Sequence, residues 1–351
     1  MAKSRPTITD VARESGVSIA TVSYVLNNGP RKVDADTKAR VKASMERLRY
    51  YPNTIARALT NKRLNAIGVV FPHPYPSVFT DPYFVSLMDG IVQEAARRRQ
   101  NVMLYTGLDW NGEHSLPAFQ DRRVDGLILI AMLTDSTIVP SLTEAGLSFV
   151  QINGQVADAA VSNIDIDNAE AARQVVAHLA AHGHRRIALL GGQENSPSTL
   201  PRREGYLRGL MENGLACDPA MVLDGLYDRA WGRDGMARLL ALPAPPTAVF
   251  AGGDGIAEGI YDLCRERGIR IPADLSVVGF DDTPNAAHLH PPLSSVRQPL
   301  RQMGSVAAAT LLDQLDARAS ALPAPAPQIV LPAELIVRAS TAAPRECLWS
   351  G

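Results

Sequence analysis

The chain has 351 residues, 46% of them hydrophobic and 20% charged, a globular balance that excludes a disordered or collagen-like chain. At roughly 150 residues per domain, that length predicts about two domains with room for a small third. No apolar run approaches the roughly 18 residues of a membrane span, and the first ten residues hold no apolar signal core, so a cytoplasmic location is expected. Cys217, Cys264 and Cys347 lie far apart and form no CxxC pair, which fits a reducing compartment and argues against a zinc knuckle or disulfide scaffold. The net charge of −1 conceals a segregation: residues 1–64 hold 13 Lys/Arg and 5 Asp/Glu, a charge of +8, leaving −9 for the remainder. A basic head on an acidic body predicts a polyanion-binding module joined to a second function.

In the head, Thr7-Ile8-Thr9-Asp10 reads as a capping box that opens a short helix carrying Val11 and Ala12, and Gly16 ends it. Ser18 is an N-cap for a second helix, Ile19 to about Asn27, with Val22, Val25 and Leu26 on one face. Two short helices joined by a tight glycine turn form the helix-turn-helix pattern. Asp34 caps a third helix, with Val41, Met45 and Leu48 at i, i+4 and i+7. In such a unit the start of the second helix meets base edges in the major groove. Here that start is Ser18, Ile19, Ala20 and Thr21, with Tyr24 one turn later. Ile19 and Ala20 suit thymine methyl groups, and Tyr24 offers a hydroxyl. A core position is the alternative for Ile19, but it lies off the Val22 stripe. Pro52 stops the third helix. Asn53 then caps residues 54–60, a segment too short to be a stable helix without a partner. Arg57 suits a phosphate and Leu59 a minor-groove wedge, a plain linker being the alternative. Thr7, Ser23, Asn27, Tyr50 and Ala56 complete the candidate DNA contacts.

ITDVARESGVSIATVSYVLNNG, then VDADTKARVKASMERLRYYPNTIARALT, then NAIGVVFP closely resembles the lactose-repressor and purine-repressor (LacI/GalR) family of bacterial transcription regulators. The resemblance continues in order to ELIVRAS at 334–340. It implies that Ile19, Ala20 and Tyr24 occupy base-reading positions, that residues 53–60 form a hinge helix, and that Leu59 is the leucine that wedges into the central base step. Many members carry Arg or His late in the recognition helix where this chain has Tyr24, so the operators of relatives do not transfer directly.

From Asn65 onward, short apolar runs alternate with helical patterns. Strands are expected at 66–71, 102–105, 126–130, 147–152 and 161–166, then at 187–190, 221–223, 247–250 and 275–280. Helices are expected at 83–99, 168–182, 202–213, 233–241, 255–267 and 301–318, with a last strand at about 329–337. Near-continuous apolar strands alternating with helices predict parallel sheets covered on both faces. Two such series, turning over near 160, predict two α/β lobes. Ligands of open α/β sheets bind beyond the carboxyl ends of the strands. The segments 71–84, 151–153, 191–202, 227–231, 252–254 and 281–282 are therefore candidates, a mixture of carboxylates, one arginine, an amide and aromatics that suits sugar hydroxyls and an apolar sugar face. The resemblance puts Phe84, Asn153, Arg202, Asp281 and Gln298 on effector-contacting or pocket-lining positions. It matches Tyr83-Phe84 to an aromatic pair of nucleobase-binding members. Trp231 is a candidate stacking platform, and Asp254 is either a ligand or a helix-capping residue. Gly253 stands where many relatives have Asn, which removes one expected side chain.

Three other signals are set aside. Gly252-Gly253-Asp254-Gly255 follows a strand but lacks the GxGxxG spacing, and Asp254 would repel pyrophosphate, so no nucleotide cofactor is expected. His178, His182 and His184 gather at a helix end without a Cys or carboxylate to complete a metal site. No Ser/His/Asp pattern or nucleophile elbow is present, so the chain is not expected to be an enzyme. The expected architecture is an N-terminal all-α helix-turn-helix domain with a hinge helix, followed by a two-lobed α/β domain of the periplasmic-binding-protein type. Its boundaries are 1–52 for the DNA-binding domain, 53–64 for hinge and linker, 65–341 for the effector-binding and dimerisation domain, and 342–351 for a tail. Lobe 1 is expected at about 65–161 and 291–327, lobe 2 at about 162–290 and 328–341. The expected partners are a palindromic double-stranded DNA operator, a second copy of the chain, and a small effector, carbohydrate first and nucleobase second. The resemblance implies that tetramers are built by a C-terminal leucine-heptad helix; the residues after Val337 hold no such heptad, so a dimer is expected. The competing readings are an exported sugar-binding protein, which the basic head disfavours, and a sugar-processing enzyme, which would need paired carboxylates.

Overall fold

The computed structural model describes residues 6–27, 33–51, 63–71, 78–106, 112–154, 161–320 and 326–345, and only the backbone of Asn27 and of residues 112–114. The chain divides into two units, Met1–Asn65 and Ala66–Gly351. Of the hinge and linker expected at 53–64, only Arg63 and Leu64 fall among the described residues.

The first unit contains α1 (Ile8–Ser15), α2 (Ile19–Asn27) and α3 (Ala35–Leu48). The capping box forms in both directions: the Asp10 amide donates to Thr7 Oγ1, and the Thr7 amide donates to Asp10 Oδ2 at 2.9 Å. Gly16 takes a left-handed φ of 66° that turns the chain toward α2. The Thr21 amide donates to Ser18 Oγ at 3.0 Å, and the Thr37 amide donates to Asp34 Oδ1 at 2.7 Å. Val11, Ala12, Val22 and Val41 form the buried centre, with Ile8, Val25, Leu26, Met45 and Leu48 packed around it. So small a core makes each cap matter. Ser18→Ala is expected to lower the local stability of α2 by about 1 kcal/mol, read on the full chain as faster hydrogen exchange of the α2 amides.

The second unit begins with β1 (Ala66–Val70), α4 (Pro82–Arg97), β2 (Asn101–Tyr105), α5 (Gly112–Gln120), β3 (Gly126–Ile130), α6 (Ile138–Glu144), β4 (Phe149–Ile152) and β5 (Ser162–Ile166). It continues with α7 (Asn168–Ala181), β6 (Ile187–Gly191), α8 (Thr199–Glu212), β7 (Val222–Asp224), α9 (Arg229–Leu240), β8 (Ala248–Ala251), α10 (Asp254–Arg267), β9 (Ser276–Asp281) and β10 (Ser294–Arg297). Helix α11 (Leu300–Ala319) and strands β11 (Gln328–Leu331) and β12 (Glu334–Ile336) complete it. The first sheet has the order β11-β5-β4-β3-β1-β2, with every pairing parallel. The second has the order β12-β10-β9-β8-β6-β7, parallel except between β10 and β12. Central strands are covered on both faces, which is why Gly126–Ile130 is buried at every position. Helices α4 and α11 cover one face of the first sheet, while Phe119 of α5 and Ile138 and Leu142 of α6 pack on the other.

Helices α4 and α11 approach closely through two glycines. A Cβ at Gly90 would lie 1.9 Å from the Arg301 carbonyl oxygen, and one at Gly304 would lie 2.1 Å from that of Leu87. Backbone cannot yield as a flexible side chain can. Gly90→Ala is therefore expected to cost about 3 kcal/mol, the upper end of overpacking penalties, seen as a lower urea midpoint with an unchanged slope.

The chain crosses between lobes at other places than the sequence suggests. Strand β5, expected in lobe 2, pairs with β4 in the first sheet, Val150 opposite Ser162. The first crossing therefore falls at Asp167, whose carboxylate caps α7 by accepting from the Glu170 amide at 2.8 Å. Strand β10, expected in lobe 1, pairs with β9 in the second sheet, Ser295 opposite Gly279. The second crossing thus follows Arg297. The single strand expected at 329–337 is two strands in different lobes, β11 beside β5 and β12 beside β10. Pro332, without an N–H to donate, separates them. Apolar runs look alike in either sheet, so periodicity alone does not reveal which sheet a strand joins.

Candidate functional site

The carboxyl ends of strands from both sheets open into one cavity of about 340 Å³ in the second unit. Asp81, Tyr83, Phe84 and Asn153 line it from lobe 1, and Arg202 and Asp281 from lobe 2. Four backbone positions at these strand ends are left-handed without being glycine: Ala131 at φ 49°, Asn153 at 50°, Asp281 at 112° and Asp282 at 50°. Such conformations cost about 1–3 kcal/mol each and gather where side chains must be aimed.

Asp81 caps α4 by accepting from the Tyr83 amide at 2.9 Å, which fixes the first turn and with it Tyr83 and Phe84. Phe84 is 3% exposed, edge-on to Phe71 at 5.6 Å and to Tyr83 at 5.1 Å. The Asn153 amide donates to the Tyr83 hydroxyl. Burial pushes the Tyr83 hydroxyl well above its ordinary pKa, so it keeps its proton and remains a donor. The other end of the Asn153 amide, Oδ1, is buried with no hydrogen-bond partner among the described residues. A bound molecule can satisfy it.

Across the cavity, Arg202 is 4% exposed and firmly held. Its Nε donates to Asn168 Oδ1 at 2.9 Å, its Nη1 donates to the Gly252 carbonyl, and its guanidinium carbon stands 3.7 Å above the Phe280 ring. With Nε and Nη1 committed, Nη2 is the nitrogen left for a ligand. Asp281 ends β9, and its Oδ1 accepts from Gln298 Nε2 at 2.6 Å. Burial raises the Asp281 carboxyl well above the usual carboxylate range, against the opposing pull of Arg202. Gln298 is thus a residue that orients Asp281 from behind rather than one that lines the cavity.

Two candidate ligand contacts from the sequence lie elsewhere. Trp231 is not on the cavity wall: its indole N–H donates to the Gly191 carbonyl at 2.9 Å, and its ring packs over Gly225, where a Cβ would lie 2.3 Å from Cδ2. Asp254 is 2% exposed and turned inward. It accepts from the Thr283 amide at 2.7 Å, the Thr283 hydroxyl at 3.0 Å and the Ser295 hydroxyl at 2.7 Å, holding the turn after β9. Burial pushes its carboxyl up to about 7. The lobe 2 aromatic ring on the cavity wall is Tyr227 instead, with its hydroxyl 3.0 Å from the hydroxyls of Ser198 and Thr199. Gly253 makes room for it, since a Cβ there would lie 3.1 Å from Tyr227 Cδ1. The signal for Tyr227 was the strand end it follows.

The lobes are also tied at the rim. The Thr134 amide donates to the Asn195 carbonyl at 2.8 Å, and Asn195 Nδ2 donates to both carboxylate oxygens of Asp135 at 3.2 and 3.1 Å. Leu133 and Ser196, beside these residues, both line the cavity.

In the first unit, Ser18, Ile19 and Ala20 are exposed at the start of α2, with Ile19 at 47% and Tyr24 at 36%, while Val22 is wholly buried. The Ser18 and Thr21 hydroxyls lie 2.9 Å apart. Ser23 is half-buried on α2, and Thr7 caps α1. Tyr50 packs against the small core, and burial raises its hydroxyl pKa. The side chain of Asn27 and all of Asn53, Ala56, Arg57 and Leu59 lie outside the described residues.

Among the described residues no three His, Cys, Asp or Glu side chains gather as a metal site, and no helix is long and apolar enough to cross a membrane. His184 is buried, with Nδ1 2.9 Å from the Thr247 hydroxyl and Nε2 3.0 Å from that of Ser276.

Residues 7–53 match the family described as bacterial regulatory proteins, lacI family, and residues 176–341 match the periplasmic binding protein-like domain. The chain is 32% identical to the HTH-type transcriptional regulator CelR of Thermobifida fusca over 89% of its own length and 92% of that protein. A solved complex of CelR with cellobiose covers 96% of this chain and 100% of its own, at 30% identity and a TM-score of 0.73. The lac repressor dimer bound to operator and the anti-inducer ONPF covers 97% of this chain and 100% of its own, at 27% identity and a TM-score of 0.84.

Proposed function

Because this chain belongs to the lacI family of bacterial regulatory proteins, we infer that its two units divide the work of a cytoplasmic transcriptional repressor. The first unit binds a palindromic DNA operator, and the second senses a small effector that sets operator affinity. It is a binding protein rather than an enzyme, in keeping with relatives named as regulators. The carrying observation is the set of opposed polar groups, Tyr83 and Asn153 facing Arg202 and Asp281, in a cleft fed by both sheets.

The effector we assign is a neutral carbohydrate. The cavity wall carries Asp81, Asp228, Glu258 and Asp281 against Arg202 and Arg229, and Arg229 is already paired with Asp262 at 2.8 Å. A phosphate or carboxylate would enter an acid-rich site with one arginine to meet it, whereas hydroxyls can donate to the carboxylates and accept from Arg202. Tyr227 supplies an aromatic ring for an apolar sugar face. Phe84, at 3% exposure, offers no open ring face for a nucleobase, so the Tyr83-Phe84 pair by itself does not favour that class. CelR, crystallised with cellobiose, is consistent with this class. We further assign the α4 face bearing Val85 and Val92, exposed at 43% and 46%, to contact with a second copy of the chain.

Gel shift on a palindromic DNA pool, followed by calorimetry with neutral mono- and disaccharides, sugar phosphates and purines, tests the reading. The expected result is operator selection and a response to one neutral carbohydrate. Response to a sugar phosphate or purine alone would overturn the effector assignment, and failure to select DNA would overturn the function.

A further inference from the structure

Lobe 1 contains a second cavity, of about 420 Å³, between α6 and the end of β4. Met132, Leu133, Val139, Pro140 and Val161 give it aliphatic walls, and Gln151 forms its polar floor. Gln151 is 4% exposed and sits on β4, two residues after Phe149, so its side chain leaves the sheet on the α6 side. Asn153 ends the same strand but lines the effector cavity. The two cavities share Leu133 alone.

The Gln151 amide is the unusual feature. Gln151 is nine-tenths buried as a residue, makes no side-chain hydrogen bond with another described residue, and borders the cavity, so its amide is free to pair with whatever fills that space. Gly154 leaves it room: a Cβ there would lie 2.4 Å from Gln151 Oε1. The volume far exceeds the roughly 30 Å³ share of one water and falls within the range of small-molecule sites. Among the described residues on the wall Glu144 is the one ionisable side chain, and it offers an anion no counter-charge.

We propose that this cavity is a second ligand site, for a compact, uncharged, largely apolar ring molecule that presents an adjacent donor and acceptor to the Gln151 amide. It is independent of the effector reading, because no group of the cleft's polar set reaches it. The test uses the full-length protein carrying ¹³C-methyl methionine, with the Met132 signal assigned through Met132→Leu. The probe is 2-pyridone, and benzoate is its anionic counterpart. The expected result is a saturable shift of the Met132 methyl with 2-pyridone and none with benzoate. Gln151→Leu should weaken the probe at least about tenfold, Val139→Trp should abolish binding by filling the space, and Asp281→Asn should leave it unchanged. If Gln151→Leu fails to fold, Val139→Trp reads the same methyl. No saturable shift at millimolar probe would mean that the amide is merely hydrated and would overturn the site. Equal affinity in Gln151→Leu, equal binding of benzoate, or loss of binding in Asp281→Asn would overturn it as well.

Discussion

Asp281→Asn is expected to weaken the carbohydrate effector about 100-fold, or about 2.7 kcal/mol, while the effector-free protein keeps its operator affinity. The size follows from the geometry. Asp281 is held from behind by Gln298 at 2.6 Å and aimed by a backbone at φ 112°, so its acceptors are preorganised. Once the pH is high enough for the carboxylate to form, hydrogen bonds to this charged group contribute about 1.5–3 kcal/mol each. The amide keeps the shape but replaces one acceptor by a donor, which faces a hydroxyl wrongly. A pH signature accompanies the loss. Burial raises the Asp281 carboxyl, so the parent gains affinity for hydroxyl donors as pH rises and the carboxylate forms. The variant has no such proton to lose, and its affinity stays flat. Calorimetry at several pH values checks both; an unchanged affinity in Asp281→Asn would place the effector elsewhere.

Operator affinity is expected to fall about 10³- to 10⁵-fold between about 50 and 200 mM salt, the range for roughly 6–10 neutralised phosphates. Arg13, Lys38, Arg40, Lys42, Arg47 and Arg49 are all exposed on the first unit, and a dimer doubles that number. Leu59→Ala separates this electrostatic part from the rest. An apolar wedge contributes only where the duplex is kinked, so the variant should lose at least about tenfold on the selected operator, keep its salt slope, and bind effector normally. Fluorescence anisotropy on operator and on random duplex, across a salt series, reads all three. A parallel loss on random duplex would mean that Leu59 supports the fold of the head rather than the kink.

Local chemistry was legible in the sequence wherever the partners were close in the chain. The Thr7–Asp10 box, the Ser18 and Asp34 caps and the glycine turn at Gly16 each depend on residues within a few positions. The alternation of strand and helix was legible too, because sheets buried on both faces demand apolar runs. What was hidden depends on distant pairings. Whether β5 joins the first or second sheet is decided by Ser162 facing Val150, and no periodicity carries that. Asp254 reads in the sequence as either a ligand or a helix cap, and it is Thr283, just after β9, and Ser295, in the neighbouring β10, 29 and 41 residues on, that claim its oxygens. Trp231 and Tyr227 are aromatic residues four positions apart, Tyr227 before α9 and Trp231 in its first turn, and the indole N–H found the Gly191 carbonyl while the phenol stayed at the cavity. Resemblance supplied Phe84, Asn153, Arg202 and Asp281 together, and all four line one cavity.

The bonds that join Thr134 and Asp135 to Asn195 link two loops that both border the cleft. A molecule leaving past that rim would have to part them. Each is of modest strength, because water competes for it at the surface. On the proposed effector reading, the lifetime of the occupied state would follow how often this small latch opens, and equilibrium affinity would be a separate quantity. A chain with stronger bonds at this rim would remember a brief pulse of nutrient after the supply had gone. A chain with weaker ones would follow each fluctuation as it came, even if both half-saturated at the same concentration.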